Sequence, residues 1–184
     1  ILVDKNGAWH VNGLPTNLEK VHTMVDVIWN ALHGAYGEDG KVQQELDRWS
    51  IPYTGSGAFA SALGMHKLLA KNEFAKYNFQ TPACIVVPDW RTANTDLSRR
   101  EYMHFFAVET FKKMPPFWVV KPVSSGSSDR VFLCSTVPKL EEALMVISEH
   151  EGDIMLEEHI VGQVFCVNVI AGFRGQKFYH SPTL

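Results

Sequence analysis

Four short segments place reactive side chains where a fold can use them. The first is Asn30-Ala31-Leu32-His33-Gly34-Ala35-Tyr36-Gly37-Glu38-Asp39-Gly40, which packs one histidine, two acids and three glycines into a turn. It follows the apolar run Val25 to Trp29 and precedes a helical pattern with Val42, Leu46 and Trp49 on one face. Strand, glycine-rich polar loop, helix is where open α/β sheets hold ligands, and glycine allows close backbone approach. The same spacing also suits an ordinary tight turn with a surface histidine. His33 is not a predicted metal ligand: Glu38 and Asp39 are near in sequence, but no second ligand sits at ligand spacing on the same element. The second segment is Val119-Val120-Lys121-Pro122-Val123-Ser124-Ser125-Gly126-Ser127-Ser128. An apolar strand delivers a lysine to a loop of small hydroxyl residues, whose N–H and O–H groups can converge on an anion. It is neither a Walker A motif nor a dinucleotide G-x-G-x-x-G, and a flexible hairpin tip has the same composition. The third is Ile154-Met155-Leu156-Glu157-Glu158-His159-Ile160, an apolar strand ending in paired carboxylates. An acid there can accept from an amino group such as that of adenine, with a nearby backbone N–H for a ring nitrogen. The fourth is Ser61-Ala62-Leu63-Gly64-Met65-His66-Lys67; the lysines Lys67, Lys71 and Lys76 read as a solvated helix face.

The elements that must position these groups alternate between strand and helix patterns. Ile1–Asp4 and Ala8–Val11 flank Asn6-Gly7, a hairpin signal. Val25–Asn30 reads as a buried strand, Lys41–Trp49 as a short amphipathic helix, and residues 51–57 as an extended piece ending in a glycine turn. A longer helix is predicted from about Ala58 or Ser61 to Tyr77, then a strand over Ala83–Val87. Leu97–Lys113 reads as a helix stopped by Pro115-Pro116. Strands follow at Phe117–Lys121 and Arg130–Ser135, with the Ser/Gly loop between them. A helix over Pro138–Glu149 has Thr136 as its cap. Asp153–Glu158, Val164–Ala171 and Gln176–Ser181 are predicted strands, the last two flanking a Gly172–Gly175 turn.

The composition, 46% hydrophobic and 20% charged over 184 residues, supports a packed core. A net charge of −3 without a basic run argues against a nucleic-acid partner, and no apolar stretch is long enough for a membrane span. Cys84, Cys134 and Cys166 are far apart in apolar surroundings, which predicts packed, reduced thiols and a cytoplasmic protein.

Taken together and in this order, the segments resemble the D-alanine–D-alanine ligase family of the ATP-grasp superfamily. The resemblance rests on His33-Gly34 with Tyr36-Gly37-Glu38-Asp39-Gly40 and Val42-Gln43, on Ile51-Pro52-Tyr53-Thr54-Gly55-Ser56-Gly57, and on Ser61-Ala62-Leu63 with Met65 and Lys67. It continues through Val120-Lys121-Pro122, Gly126-Ser127-Ser128, and Leu156-Glu157-Glu158 with Ile160 and Gly162. It implies an α/β chain in two parts: residues 1–78 as the carboxyl part of a Rossmann-like, substrate-side domain, and 79–184 as the central α+β nucleotide-binding subdomain, incomplete. It implies an ATP-dependent joining of two D-alanines for peptidoglycan precursors. Lys67, Lys121, Gly126, Ser127 and Ser128 would serve the phosphates, and Glu157, Glu158 and Ile160 the adenine. His33 and Ser127 would face the first D-alanine as catalytic residues. ATP and magnesium would be needed, with the metal ligands outside this chain, so that the chain alone would be inactive. A homodimer is a further possibility under the resemblance.

The sequence departs from the family pattern in three places. Asp129-Arg130 stand where the phosphate loop usually continues with valine and glycine, His66 replaces an aspartate or asparagine, and Val164 stands where a ribose-binding glutamate is common. Two rival readings stand: an ATP-grasp ligase of another amino acid or peptide, and a non-catalytic nucleotide-binding homologue, the latter suggested by Asp129, Arg130 and Val164.

Overall fold

The computed structural model describes residues 1–126 and 129–182. In chain order the elements are β1 (Leu2–Val3), β2 (Trp9–Val11), β3 (Leu14–Thr16), α1 (Leu18–His22), α2 (Lys41–Arg48), α3 (Ala58–Met65), α4 (Lys67–Lys76) and β4 (Cys84–Val87). Then come α5 (Arg99–Lys113), β5 (Trp118–Pro122), β6 (Phe132–Cys134), α6 (Val137–Ile147), β7 (Ile154–Glu158), β8 (Val169–Ala171) and β9 (Phe178–His180). None of the described helices is long and apolar enough to cross a membrane.

Two apolar clusters organise these elements. The first gathers Trp9, Leu18, Val21, Val42, Leu46 and Ile51 behind the small antiparallel sheet β1-β2-β3. Asn6-Gly7 makes the predicted turn, with Asp4 Oδ1 accepting the Asn6 and Ala8 N–H groups at 2.8 and 3.0 Å. A second hairpin follows at Asn12-Gly13, where both residues have positive φ as a tight primed turn requires. It adds β3, absent from the sequence reading; Pro15 is tolerated there because β3 is an edge strand.

The second cluster lies between the four-stranded sheet, in order β4-β7-β5-β6, and the helices α5 and α6. Every pairing in this sheet is antiparallel. Ser98 and Glu101 form a reciprocal cap that starts α5, and Thr136 caps α6 with Pro138 in its first turn. Strand alternation then sorts the side chains. Trp118 and Val120 of β5, with Ile154 and Leu156 of β7, go into the helix-covered core. Lys121 and Glu157 fall on the opposite face, because Lys121 is opposite Met155 and Glu157 is opposite Val119. The sheet therefore puts a cation and an acid side by side on the face without α5 and α6.

Three expected elements differ. Val25–Asn30 is not a buried strand: it makes one parallel bridge, Ile28 to Tyr53, and Val27 and Trp29 are 57% and 80% exposed. Its ladder stops at Ile28 N–H to Pro52 O (2.8 Å) and Thr54 N–H to Ile28 O (2.9 Å), and apolarity without a longer row of backbone partners does not build a strand. The long helix ending at Tyr77 is two helices, broken at His66, whose backbone is extended and bridges Ser124. Of Val164–Ala171 only Val169–Ala171 is strand. Among the cysteines, Cys134 is buried and Cys84 half-buried, but Cys166 is exposed and not packed.

Candidate nucleotide and substrate site

The break at His66 aims α4. The His66 ring accepts the Leu69 N–H at 3.3 Å as a helix cap, and the Lys67 N–H donates to Val123 O at 3.0 Å. These bonds bring the first turn of α4 against the loop after β5. Lys67 Nζ then donates to Ser125 O at 2.6 Å and meets Ser125 Oγ at 3.3 Å. One turn on, Lys71 Nζ donates to Glu157 Oε1 at 2.6 Å and to Pro82 O at 2.7 Å. Lys121 pairs with the other oxygen, Oε2. Two ammonium groups thus hold one carboxylate whose side chain is 9% exposed, and the third, Lys67, is held apart from it on Ser125.

The electrostatics follow from that crowding. Burial pushes the Glu157 carboxyl up, but hydrogen bonds and charge from Lys121 and Lys71 outweigh it and hold the group below the usual carboxylate range. Burial pulls the Lys67 ammonium down, and the nearby Lys121 charge adds to this, against a weaker opposing pull from Glu157. Among the described residues Lys67 makes no ion pair, its ammonium resting on Ser125 O instead.

The other predicted residues divide. Glu158 turns away from the cluster, its Oε1 accepting the Ala83 N–H at 2.7 Å and joining β7 to the approach of β4. Ile160 lies just past β7 and is exposed, while the His159 N–H before it is used by Phe117 O at 3.0 Å. Gly126 comes within reach of the histidine turn: a Cβ on it would lie 3.5 Å from Glu38 Oε2. Glu38 Oε2 in turn accepts the Gly34 N–H at 2.6 Å, and its Oε1 stands 3.6 Å from His33 Nδ1. The His33 side chain is 85% exposed. The two loops border one cleft of about 480 Å³, lined by Glu38, Ser56, Ser61, Met65, Lys67 and Gly126 among others. The expectations for Ser127 and Ser128 fall outside the described residues. Arg130 keeps a left-handed φ of +54° where glycine would sit at ease, and its guanidinium holds the Asp129 carboxylate at 2.7 Å, so that acid is matched by a cation. Val164 is exposed, and its side chain has no polar atom to offer.

Lys71 is the residue that sequence reasoning missed, having left it on a solvated face. The available signal was its spacing of four from Lys67, which puts both amines on one side of α4.

The turn is held from beneath. Asn30 Nδ2 and Gln43 Nε2 both donate to Gly37 O, at 3.0 and 2.9 Å. Tyr36 O–H donates to Glu45 Oε2 at 2.7 Å and receives the Trp9 indole N–H at 3.3 Å. Burial, then the hydrogen bond and charge of Glu45, push the Tyr36 phenol from 10.0 up to about 12. A raised folded value means that its contribution to stability is complete below pH 10.0 and is lost as pH rises through about 12. An alkaline absorbance titration is expected to show a phenol ionising near pH 12 that Tyr36→Phe removes. An unchanged titration curve in the variant would refute this assignment.

Residues 2–56 match the family described as the D-ala D-ala ligase N-terminus. The chain is 37% identical over 155 residues to a D-alanine–D-alanine ligase of Hydrogenovibrio crunogenus, covering 84% of this chain and 45% of the relative. It is 36% identical over 146 residues to that of Geobacillus kaustophilus, covering 79% of this chain and 38% of the relative. The chain thus spans under half the length of these curated relatives. Among solved structures, D-alanyl-alanine synthetase A of Vibrio cholerae matches with a TM-score of 0.72 at 21% identity, over 86% of this chain and 44% of that one. The D-alanine–D-alanine ligase of Bacillus anthracis complexed with ATP matches with a TM-score of 0.65 at 25% identity, over 89% and 54%. The fold is that of the ATP-grasp ligases. With residues 2–56 matching that family and ligases more than a third identical over most of this chain, the chain belongs to the D-alanine–D-alanine ligase family.

Proposed function

We propose that this chain is part of an ATP-dependent ligase joining two D-alanines for peptidoglycan precursors, the activity its relatives are named for. The observation that carries the reading is the charge imbalance at the sheet face. Among the described residues Lys71 and Lys121 share the one carboxylate of Glu157, and Lys67 close by has no ion pair, in a partly buried place where charge is weakly screened. A polyphosphate supplies the missing negative charge.

In this reading Lys67 and Lys121 hold the nucleotide phosphates, with Gly126, Ser127 and Ser128 closing over them. Glu157 accepts the amino group of adenine, with Glu158 and Ile160 beside the base. His33 orients the first D-alanine, and Ser127 faces it. The carboxylate of the first D-alanine attacks the γ-phosphorus of ATP, giving an acylphosphate and ADP. The amine of the second attacks the acyl carbon, loses a proton, and inorganic phosphate leaves. Both steps move negative charge, so fixed cations and N–H donors are the catalysts to expect. Magnesium, when bound, would neutralise phosphate charge. Among the described residues no three His, Cys, Asp or Glu side chains gather to hold a metal, and the reading assigns that role to residues outside this chain. It also takes residues 1–78 and 79–184 as parts of two domains, which the two separate apolar clusters support.

Calorimetric titration with a non-hydrolysable ATP analogue tests the reading. Lys121→Ala is expected to weaken binding by about 1.5–3 kcal/mol, the range for a hydrogen bond to a charged group. A change within about 0.5 kcal/mol, typical of an uninvolved surface site, would overturn the role of Lys121. Phosphate release from ATP that depends on D-alanine, in the protein as its gene encodes it, tests the ligase activity itself.

A further inference from the structure

The two lysines on Glu157 are held differently. Lys71 Nζ spends one donor on Glu157 Oε1 and a second on Pro82 O, a backbone carbonyl, so it cannot swing without breaking both bonds. Lys121, among the described residues, meets only Glu157. Lys71 is therefore the fixed anchor of the carboxylate and Lys121 the movable one. A carboxylate has about four lone-pair positions. One on each oxygen is taken by an ammonium, which leaves two for a ligand donor, in directions set by Lys71. Without Lys71 the carboxylate would follow Lys121. It would lose its aim, and it would hold back the cation that the phosphates need.

We propose that Lys71 is a positioning residue: by clamping Glu157 between α4 and the Pro82 carbonyl, it aims the carboxylate at the exocyclic amino group of the base and so sets the preference for a 6-amino purine over a 6-oxo purine. This rests on the reading of Glu157 as the acceptor for adenine. The motif comparison gives Lys71 no such role, and it takes no part in the reaction steps. A structural lysine would affect all nucleotides alike, whereas an aiming lysine affects the ratio between them. The reason is chemical: a 6-oxo purine presents an acceptor where adenine presents a donor, and an aimed carboxylate repels it.

The experiment measures affinities for non-hydrolysable analogues of ATP and of inosine triphosphate by calorimetry, with melting temperatures for each protein. The wild type is expected to prefer the adenine compound. Lys71→Met is expected to reduce that preference about tenfold, as for one hydrogen bond to a charged group. Lys71→Arg, which keeps the charge and two donors, is expected to stay within about threefold of wild type. If Lys71→Met does not fold, Lys71→Gln carries the same comparison. An unchanged ratio in a folded neutral variant overturns the proposal and leaves the ATP reading intact. A wild type that binds both analogues equally removes the role of Glu157 and this proposal with it. A wild type that binds neither overturns the nucleotide reading as a whole.

Discussion

Glu157→Ala is expected to destabilise the protein by about 3–5 kcal/mol, the cost of leaving a buried charge without its partner. The substitution removes the acid that, among the described residues, Lys71 and Lys121 share, and both ammonium groups stay where water reaches them poorly. The lost attraction is a smaller part of the effect than the two orphaned cations. Glu157→Met combined with Lys71→Met should therefore be milder than Glu157→Ala alone, since one cation leaves with the acid. The pH dependence has a definite sign. The folded carboxyl titrates below its ordinary 4.5, so its contribution is complete above pH 4.5 and is lost as pH falls through the lower folded value. Chemical denaturation at neutral pH should separate wild type from Glu157→Gln, and the gap should close progressively below pH 4.5. Equal stabilities at neutral pH would show that the cluster is solvated and not a buried network.

The parts of the site written in local rules were legible in the sequence. Period-two alternation is enough to place Lys121 and Glu157 on one sheet face once the strands are located, and Asn6-Gly7, Thr136 and Pro115-Pro116 mark their turns, cap and stop without reference to the rest of the fold. What escaped depends on distant partners. Val25–Asn30 has a strand's composition, but strand identity needs a hydrogen-bonded neighbour, and the run finds one only at Ile28. The break at His66 is marked in the sequence only by Gly64, two residues earlier and still inside α3. It exists because Val123 O, nearly sixty residues on, accepts the Lys67 N–H while His66 bridges Ser124. Lys71 was hidden for the same reason, since its partner is Glu157, eighty-six residues away. Nucleotide-type loops were readable as composition, and the cleft between them was not, because it arises where Gly126 approaches Glu38.

That approach depends in turn on how α2 packs on α3, and Gly40→Ala is a substitution that disturbs that packing. Gly40 is the residue before α2 and has φ +91°, a conformation that costs a residue with a side chain about 1–2 kcal/mol. A methyl group there would also lie 2.4 Å from Ala58 O and 3.2 Å from the Ala62 Cβ. The nearer atom is backbone at the start of α3, so no rotamer change relieves the clash. Either α2 or the first turn of α3 must move, at a further cost of about 1–3 kcal/mol, as for other overpacked sites. The expected loss is then about 2–5 kcal/mol, which shifts the melting temperature of a chain this size by several degrees. Two other glycines divide the effect into its causes. Gly55 has φ +105° but nothing within 4 Å of a Cβ, so Gly55→Ala should show the conformational cost alone. Gly64 lies inside α3 in open space with an ordinary helical φ, so Gly64→Ala should stabilise by about 0.4–1 kcal/mol. Thermal denaturation of the three variants in that order of severity supports the packing account. If Gly40→Ala costs no more than Gly55→Ala, the close approach of Gly40 to Ala58 is not what holds the histidine turn against α3.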